Sequence, residues 1–344
     1  MARDALKFLL TALLGGLLGG LPARPAAAAD PAITIRIGSD IDRGVVLSQA
    51  VYRLADRVSE RTKGRIKILY FPNSELGSAE EQIAGTRSGT QDLWFGANPQ
   101  MGRLVPAFQL YSPAFVYEDR NAMRAVLNSE FFANLRDQAL TSVGMRMLSW
   151  DWFRGYRYLC TIRPIRTLED LRGLKVRVPP APAKLASWKK LGASPTPTAP
   201  AEIFMALQEK VIEGVEIELQ TIHREHYDEI CKYLTLTAHD ATYSSFTVND
   251  AFWKTLGPAD QKIVVDAIQE AGQWAAAHFD EEEAQTRTAM EKLGVVFIEL
   301  PKPERQRWIA LGQENYVELE KSKQWWPAGT VEKIRAKDPR YYKP

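Results

Sequence analysis

In the stretch LRGLKVRVPPAPAKLASWKKLGASPTP, Leu171 to Pro197, one arginine stands among apolar residues and is followed at once by prolines. Leu174, Val176 and Val178 alternate with Lys175 and Arg177, so the apolar three share one strand face and Arg177 points off it. Pro179, Pro180 and Pro182 withhold the backbone donors that a continuing ladder needs, so the strand ends there. In an open α/β sheet, ligands bind beyond the carboxyl ends of the strands. A guanidinium at that place matches a carboxylate bidentately, which lysine cannot do on equal terms. Arg157, in the aromatic segment MRMLSWDWFRGYRYLCTI, supplies a second cation. A surface arginine or a structural ion pair is the plainer alternative. The pattern favours an anion receptor.

Other chemistry is sparse. After the N-terminal apolar run there is no G-x-S-x-G elbow, P-loop, strand-following G-x-G-x-x-G or C-x-x-C. In HREHYDE, His223, His226, Asp228 and Glu229 crowd one expected helix, but zinc needs a further ligand at a defined place, and a solvated face is expected instead. Glu216 and Glu218 in EGVEIEL alternate on a strand and face one side. A pair of acids could do acid and base work if burial separated their pKa values, but nothing in the sequence shows burial. A ligand contact or a bridge between lobes stands there beside simple exposure.

The elements that position these residues are α/β. ITIRIG alternates as a strand, Val46 to Arg61 has helical spacing, and RIKILYF reads as a second strand, which makes a βαβ unit with parallel strands. Ser78 and Glu81 form a capping box for a helix ending near Gly89, and DLWFGA is the third strand. A helical stretch from Asn121 to Leu140 precedes the aromatic segment, which is read as one or two long strands. Thr167 and Asp170 cap a short turn closed by Gly173. A helix from near Pro200, with Ile203, Phe204, Leu207 and Val211 as its apolar positions, leads into the strand GVEIEL. Asp260 to Leu293 reads as one helix long enough to brace two lobes.

Composition sets the compartment. Residues 1–29 place Arg3 and Lys7 before an apolar run from Phe8 to Leu21 and end in small residues, the pattern of a cleaved export signal. The run is short of the roughly 20 residues that a spanning helix needs. A bacterial periplasm is the expected location. The formal charge of +2 resides in that segment, so the chain from Asp30 onward is balanced. A nucleic-acid partner is therefore not expected, since phosphate binding needs a positive field. Cys160 and Cys231 are read as two buried thiols, with a disulfide left open.

The blocks SERTKGRIKILYFPNSELGS, GYRYLCTIRPIRTLEDLRGLKVRVPP, LGASPTPTAPAEIFMALQEKVIEGVE and VNDAFWKTLGPADQKIV occur in an order that resembles one family. They are similar to the extracytoplasmic solute-binding proteins of tripartite ATP-independent periplasmic (TRAP) transporters, DctP type, from about Ile33 to about Leu293. The resemblance implies a two-lobed α/β clamshell with strands crossing between lobes and a long helix spanning both. Its division runs 1–29 signal, 30–154 plus 243–282 first lobe, 155–242 plus 283–325 second lobe, and 326–344 tail. It implies a small organic acid ligand, a mono- or dicarboxylate, and the small and large TRAP membrane subunits as partners, with no cofactor and no metal. A clamshell sensor for a signalling partner, or a secreted enzyme acting on a carboxylated substrate, is the alternative.

By the same resemblance, Arg177 in GLKVRV is the ligand-clamping arginine, and Arg157 in GYRYL reaches the same carboxylate or another polar group. Trp152, Arg154, Asn98, Glu218 and Tyr243 complete the expected ligand set. Arg154 would meet a second carboxylate, and Trp150, Trp152 and Phe153 would line the pocket or fill the core. Two departures stand out. Ile217 occupies the place of the asparagine in the family's DGxEN pattern, so Glu218 or Gln220 would supply that polar contact. WFGANPQ lacks the acidic residue of sialic-acid-binding relatives and offers Ala97 and Asn98 instead, so sialic acid is not the expected ligand.

Overall fold

Two strands of 17 residues organise the molecule. The computed structural model describes residues 32–322 apart from 118, together with 325, 326, 328–330 and 332. The expected export signal, 1–29, and most of the expected 326–344 tail lie outside the described residues. The chain forms β1 (Ile33–Ser39), α1 (Val46–Arg61), β2 (Ile66–Phe71), α2 (Ala79–Ser88), β3 (Leu93–Ala97), α3 (Arg120–Leu127), α4 (Glu130–Val143) and the long β4 (Met145–Thr161). It continues through β5 (Lys175–Val178), α5 (Pro182–Lys190), β6 (Ser194–Pro197), α6 (Ile203–Gln208), β7 (Gly214–Glu218), α7 (Leu219–Arg224) and the long β8 (Tyr233–Asn249). The last elements are α8 (Asp250–Trp253), α9 (Pro258–Lys292), β9 (Val296–Ile298) and α10 (Lys302–Lys321).

The strands form one sheet in the order β2-β1-β3-β8-β4-β7-β5-β6, with β9 beside β8. β1 runs parallel to β2 and β3, and β5 runs parallel to β6 and β7. The antiparallel pair β4 and β8 joins these two parallel sets. Each long strand therefore belongs to both halves, and the chain from Ala32 onward is one compact unit. The 35-residue α9 adds a second connection. Its Val264, Ile268 and Ala271 enter the core against β1 and α1, whereas Met290 enters the core beneath β7 and α7.

Local signals set most boundaries. The capping box at Ser78 and Glu81 forms, and Gly89 closes α2 in the left-handed region. β5 stops at Val178 before the prolines. Two expectations differ. The helix after Pro200 ends at Gln208, and Lys210 turns left-handed at φ 58, so Val211 lies in solvent. His223 lies in the last turn of α7, while His226 is left-handed at φ 59 and Asp228 lies in a following 3-10 turn. The HREHYDE cluster is thus not one helix; buried Asp228 holds His223 at 2.7 Å, and no metal-holding group of ligands occurs among the described residues.

Gly214 opens β7, and a Cβ there would stand 2.7 Å from the Cys160 carbonyl oxygen across the ladder. Backbone cannot yield as a flexible side chain can. Gly214→Ala should therefore cost about 1–3 kcal/mol, typical of overpacking, and lower the melting temperature. A melting temperature equal to that of the parent would show that the ladder relaxes freely.

Candidate functional site

The strand register separates the two arginines that the sequence put together. Arg157 pairs with Glu218 and Leu159 pairs with Glu216, so these four leave the sheet on one side. Arg177 pairs with Val215 and leaves on the other. Val176 and Val178, on the Glu216 side, are fully buried against Leu159 and Trp188, as the alternation required.

On the Glu216 side lies a buried ion network. Arg157 Nε donates to Glu216 Oε2 at 2.7 Å, Nη2 donates to Glu216 Oε1 at 3.1 Å, and Nη1 donates to Glu218 Oε1 at 2.8 Å. Glu216 is 0% and Glu218 1% exposed. Burial alone would raise both carboxyls, but Arg157 outweighs it and holds Glu216 far below its ordinary value and Glu218 at about 2. His239 Nε2 donates to Glu216 Oε2 at 3.0 Å and Nδ1 accepts from the Thr237 hydroxyl at 2.8 Å, a tautomer assigned from these partners. Burial lowers the His239 pKa, which keeps the ring neutral. Lys184 donates to Asp240 at 2.6 Å and stands 4.0 Å from Glu216.

Arg154 meets a carboxylate, but an internal one. Its Nη1 donates to both Asp40 oxygens at 3.3 Å, and its Nε is 3.6 Å from Glu218 Oε1. Asp40 follows β1 and Arg154 lies in β4, so this pair ties the start of the fold to its centre.

Arg177 is different. It is 3% exposed, and its one hydrogen bond among the described residues is from Nε to the Thr198 carbonyl oxygen at 3.0 Å. No carboxylate pairs with it there. Burial, reinforced by Arg157, draws its pKa down to about 10, against the opposing influence of Glu216 and Glu218. It remains a cation at neutral pH.

The other expected residues are placed as follows. Trp152 packs edge-on against Phe95 and Phe246 in the core, the second of the two roles open to it. Tyr243 is buried beside Phe153 and donates to the Arg120 carbonyl oxygen at 2.7 Å. Asn98 donates to the Trp150 carbonyl oxygen at 2.9 Å and leaves its own Oδ1 buried without a partner. Glu218 and Glu216 are not exposed, because Arg157 lies against both. Asp40, Lys184, His239 and Asp240 were not found from the sequence. A signal existed for Lys184, which shares a buried helix face with Ser187 and Trp188. The thiols of Cys160 and Cys231 are free and buried, with Cys160 Sγ donating to the Cys231 carbonyl oxygen at 3.1 Å.

A cavity of about 20 Å³ lies between the β1–α1 connection and the β7–α7 junction, lined by Asp42, Arg154, Glu218, Gln220, Thr221 and Glu282 among others. A roomier one, about 540 Å³, opens near Tyr158, Glu283, Arg287, Phe297 and Arg305, and holds none of the expected ligand residues. Size is a weaker guide here than chemistry. Glu282 accepts the Val46 N–H at the start of α1 at 2.8 Å, and burial raises its carboxyl from 4.5 to about 7. A raised acid contributes stability that is full below 4.5 and lost as pH rises through about 7. Glu282→Gln, neutral throughout, should flatten that loss, so the melting-temperature difference between variant and parent grows in the variant's favour across this window. A constant difference would mean that Glu282 is already charged in the folded chain.

The family described as bacterial extracellular solute-binding protein, family 7 (DctP) matches residues 39–323. The sialic acid-binding periplasmic protein SiaP of Vibrio cholerae is 30% identical over 247 residues, 72% of this chain and 77% of its own length. A TRAP periplasmic solute binding protein from Roseobacter denitrificans, solved with bound L-galactonate, is similar with a TM-score of 0.80 and 27% identity, covering 88% of this chain and 99% of its own. One from Pseudomonas putida F1 with bound D-glucuronate gives a TM-score of 0.79 and 26% identity, over 88% and 97%. The fold is the two-lobed α/β architecture of these receptors, and family and fold are those of solute-binding receptors rather than enzymes. The chain belongs to the DctP family of bacterial extracellular solute-binding proteins, family 7, and is a solute-binding receptor of the TRAP type.

Proposed function

We propose that this receptor is exported through a cleaved N-terminal signal, captures a small organic acid anion with Arg177 and delivers it to the small and large TRAP membrane subunits. The observation that carries the reading is Arg177 itself, a guanidinium 3% exposed with no carboxylate partner among the described residues. A buried charge without a partner is costly, and an anionic ligand supplies the partner. The relatives solved with L-galactonate and D-glucuronate hold carboxylates, which supports the same ligand class here. The proposed lobes are 30–154 plus 243–282 and 155–242 plus 283–325, with the ligand between them. Closure is a population shift: the closed form gains only the contacts that ligand makes to both lobes. No reacting group is invoked, and the acid leaves unchanged.

A thermal-shift screen over organic acids tests this, because a ligand at 100 times its Kd stabilises by about 2.7 kcal/mol. The expected result is stabilisation by at least one carboxylate, recovered unaltered by NMR. Stabilisation by no carboxylate would overturn the reading, and turnover of the acid would replace it with an enzyme.

A further inference from the structure

We propose that the cavity of about 540 Å³ is a second binding site, for a small zwitterion with an apolar body such as an amino acid, with Arg305 holding its carboxylate and Glu283 its ammonium. Nothing in it depends on Arg177, which does not line this cavity. Tyr158 leaves β4 on the face opposite Arg157, so the space also lies across the sheet from the Arg157 network. α9 walls it off from the small cavity: Asp280, Glu283, Ala284 and Arg287 line the large one at helical spacing, whereas Phe279 and Glu282 line the other. Its volume falls within the roughly 300–1,000 Å³ of pockets that hold small molecules.

A bulge in β8 builds the site. β4 advances only from Arg157 to Leu159 while β8 runs from Asp240 back to Thr235, so β8 bulges beside Tyr158. Ala238 sits in that bulge at φ 41, a left-handed conformation that a residue with a Cβ rarely adopts, and it lines the cavity with Leu236. The Thr237 carbonyl oxygen accepts from Arg305 Nη1, which fixes the guanidinium at the cavity wall. Arg305 is half-buried with no carboxylate partner among the described residues, and burial lowers its pKa. Glu283 is half-buried too. The Tyr158 hydroxyl donates to its Oε1 at 3.0 Å, but no cation lies within ion-pair distance of it among the described residues, and burial raises its carboxyl. The other charges are engaged or wet: Asp280 accepts from Arg120 at 3.1 Å, Arg287 donates to Glu291 at 3.1 Å and lies over Phe297, and Glu299 is exposed. An anion alone would answer Arg305 and leave Glu283 unmatched, and a cation alone would do the reverse. A zwitterion gives each its counter-ion, and Leu219, Leu236, Phe297 and Leu300 offer its body an apolar floor.

Calorimetry on the full chain near neutral pH tests this with L-leucine, L-phenylalanine and ε-aminocaproate, each beside two molecules that carry one of its charges: isocaproate and isopentylamine, hydrocinnamate and phenethylamine, caproate and pentylamine. At least one zwitterion should bind, about tenfold or more tighter than either of its halves. Arg305→Gln and Glu283→Gln should each weaken it about tenfold or more. Ala284→Trp, which fills the cavity from an exposed helix position, should abolish binding, and Arg177→Ala should leave it unchanged. Binding of no zwitterion overturns the proposal, as does a half that binds as tightly as the whole, or a zwitterion that still binds in Ala284→Trp. Binding lost in Arg177→Ala overturns it as well, by placing the zwitterion at the other site. If a charge variant fails to fold, Ala284→Trp and Arg177→Ala decide together. None of these failures removes the Arg177 reading, which the organic-acid screen tests separately.

Discussion

Arg177→Ala should weaken capture of the acid about a thousandfold, since breaking a buried, hydrogen-bonded charge pair costs about 3–5 kcal/mol and each ~1.4 kcal/mol is a factor of ten. Arg177→Lys should recover little, because an ammonium cannot present the two parallel donors of a guanidinium. The free protein should respond in the opposite sense. Arg177 is 3% exposed and makes one hydrogen bond among the described residues, to the Thr198 carbonyl oxygen, so it is a buried cation with no carboxylate partner among them. Arg177→Met, which keeps the volume and removes the charge, should leave the unliganded melting temperature equal or higher while abolishing the ligand-induced rise. That split between stability and binding separates a ligand-holding arginine from a structural one. A melting temperature that falls in Arg177→Met, with ligand affinity retained, would assign Arg177 to the scaffold.

Arg157→Ala should do the reverse and unfold the site. Its guanidinium is the common partner of Glu216 and Glu218, both essentially unexposed, and its removal leaves two carboxylates buried without their cation. Uncompensated buried charge of this kind costs about 3–5 kcal/mol. In a chain of this size the melting temperature should fall by roughly 5–10 °C. The same pair sets an acid limit. Glu218 is held at about 2 from an ordinary 4.5, so its contribution is complete above 4.5 and is lost as pH falls toward 2. In Arg157→Ala that acid-side decline should shrink, because the carboxyls no longer have a cation to lose. Scanning calorimetry of parent and variant below pH 4.5 measures both effects, and an unchanged melting temperature in the variant would show that His239 and Lys184 suffice to hold the two acids.

Much of the fold was legible because its signals are local. The period-2 alternation of ITIRIG and LKVRV, the Ser78 capping box, Gly89 and the prolines after Val178 each act within a few residues, and each sits where the pattern placed it. The long α9 was legible for the same reason, being an uninterrupted run of helix-forming residues. The helix through Val211 failed because a left-handed Lys210 has no sequence mark as clear as glycine. HREHYDE failed similarly at His226, where charged spacing resembled a helix face that the backbone does not continue.

The sequence by itself determined which way Arg177 points and that its strand ends beside it, since alternation and proline are properties of neighbouring residues. It also determined the family, through motifs in order along the chain. Only the tertiary structure decided which charges are already paired. Arg157 meets Glu216 and Glu218 from 59 and 61 residues away, Arg154 meets Asp40 from 114, and Lys184 meets Asp240 from 56. Coulomb attraction depends on distance in space and on burial, neither of which is written in local spacing. Two arginines that look equivalent in the sequence therefore part company in the fold: Arg157 is spent on the protein's own carboxylates, and Arg177 meets none of them among the described residues.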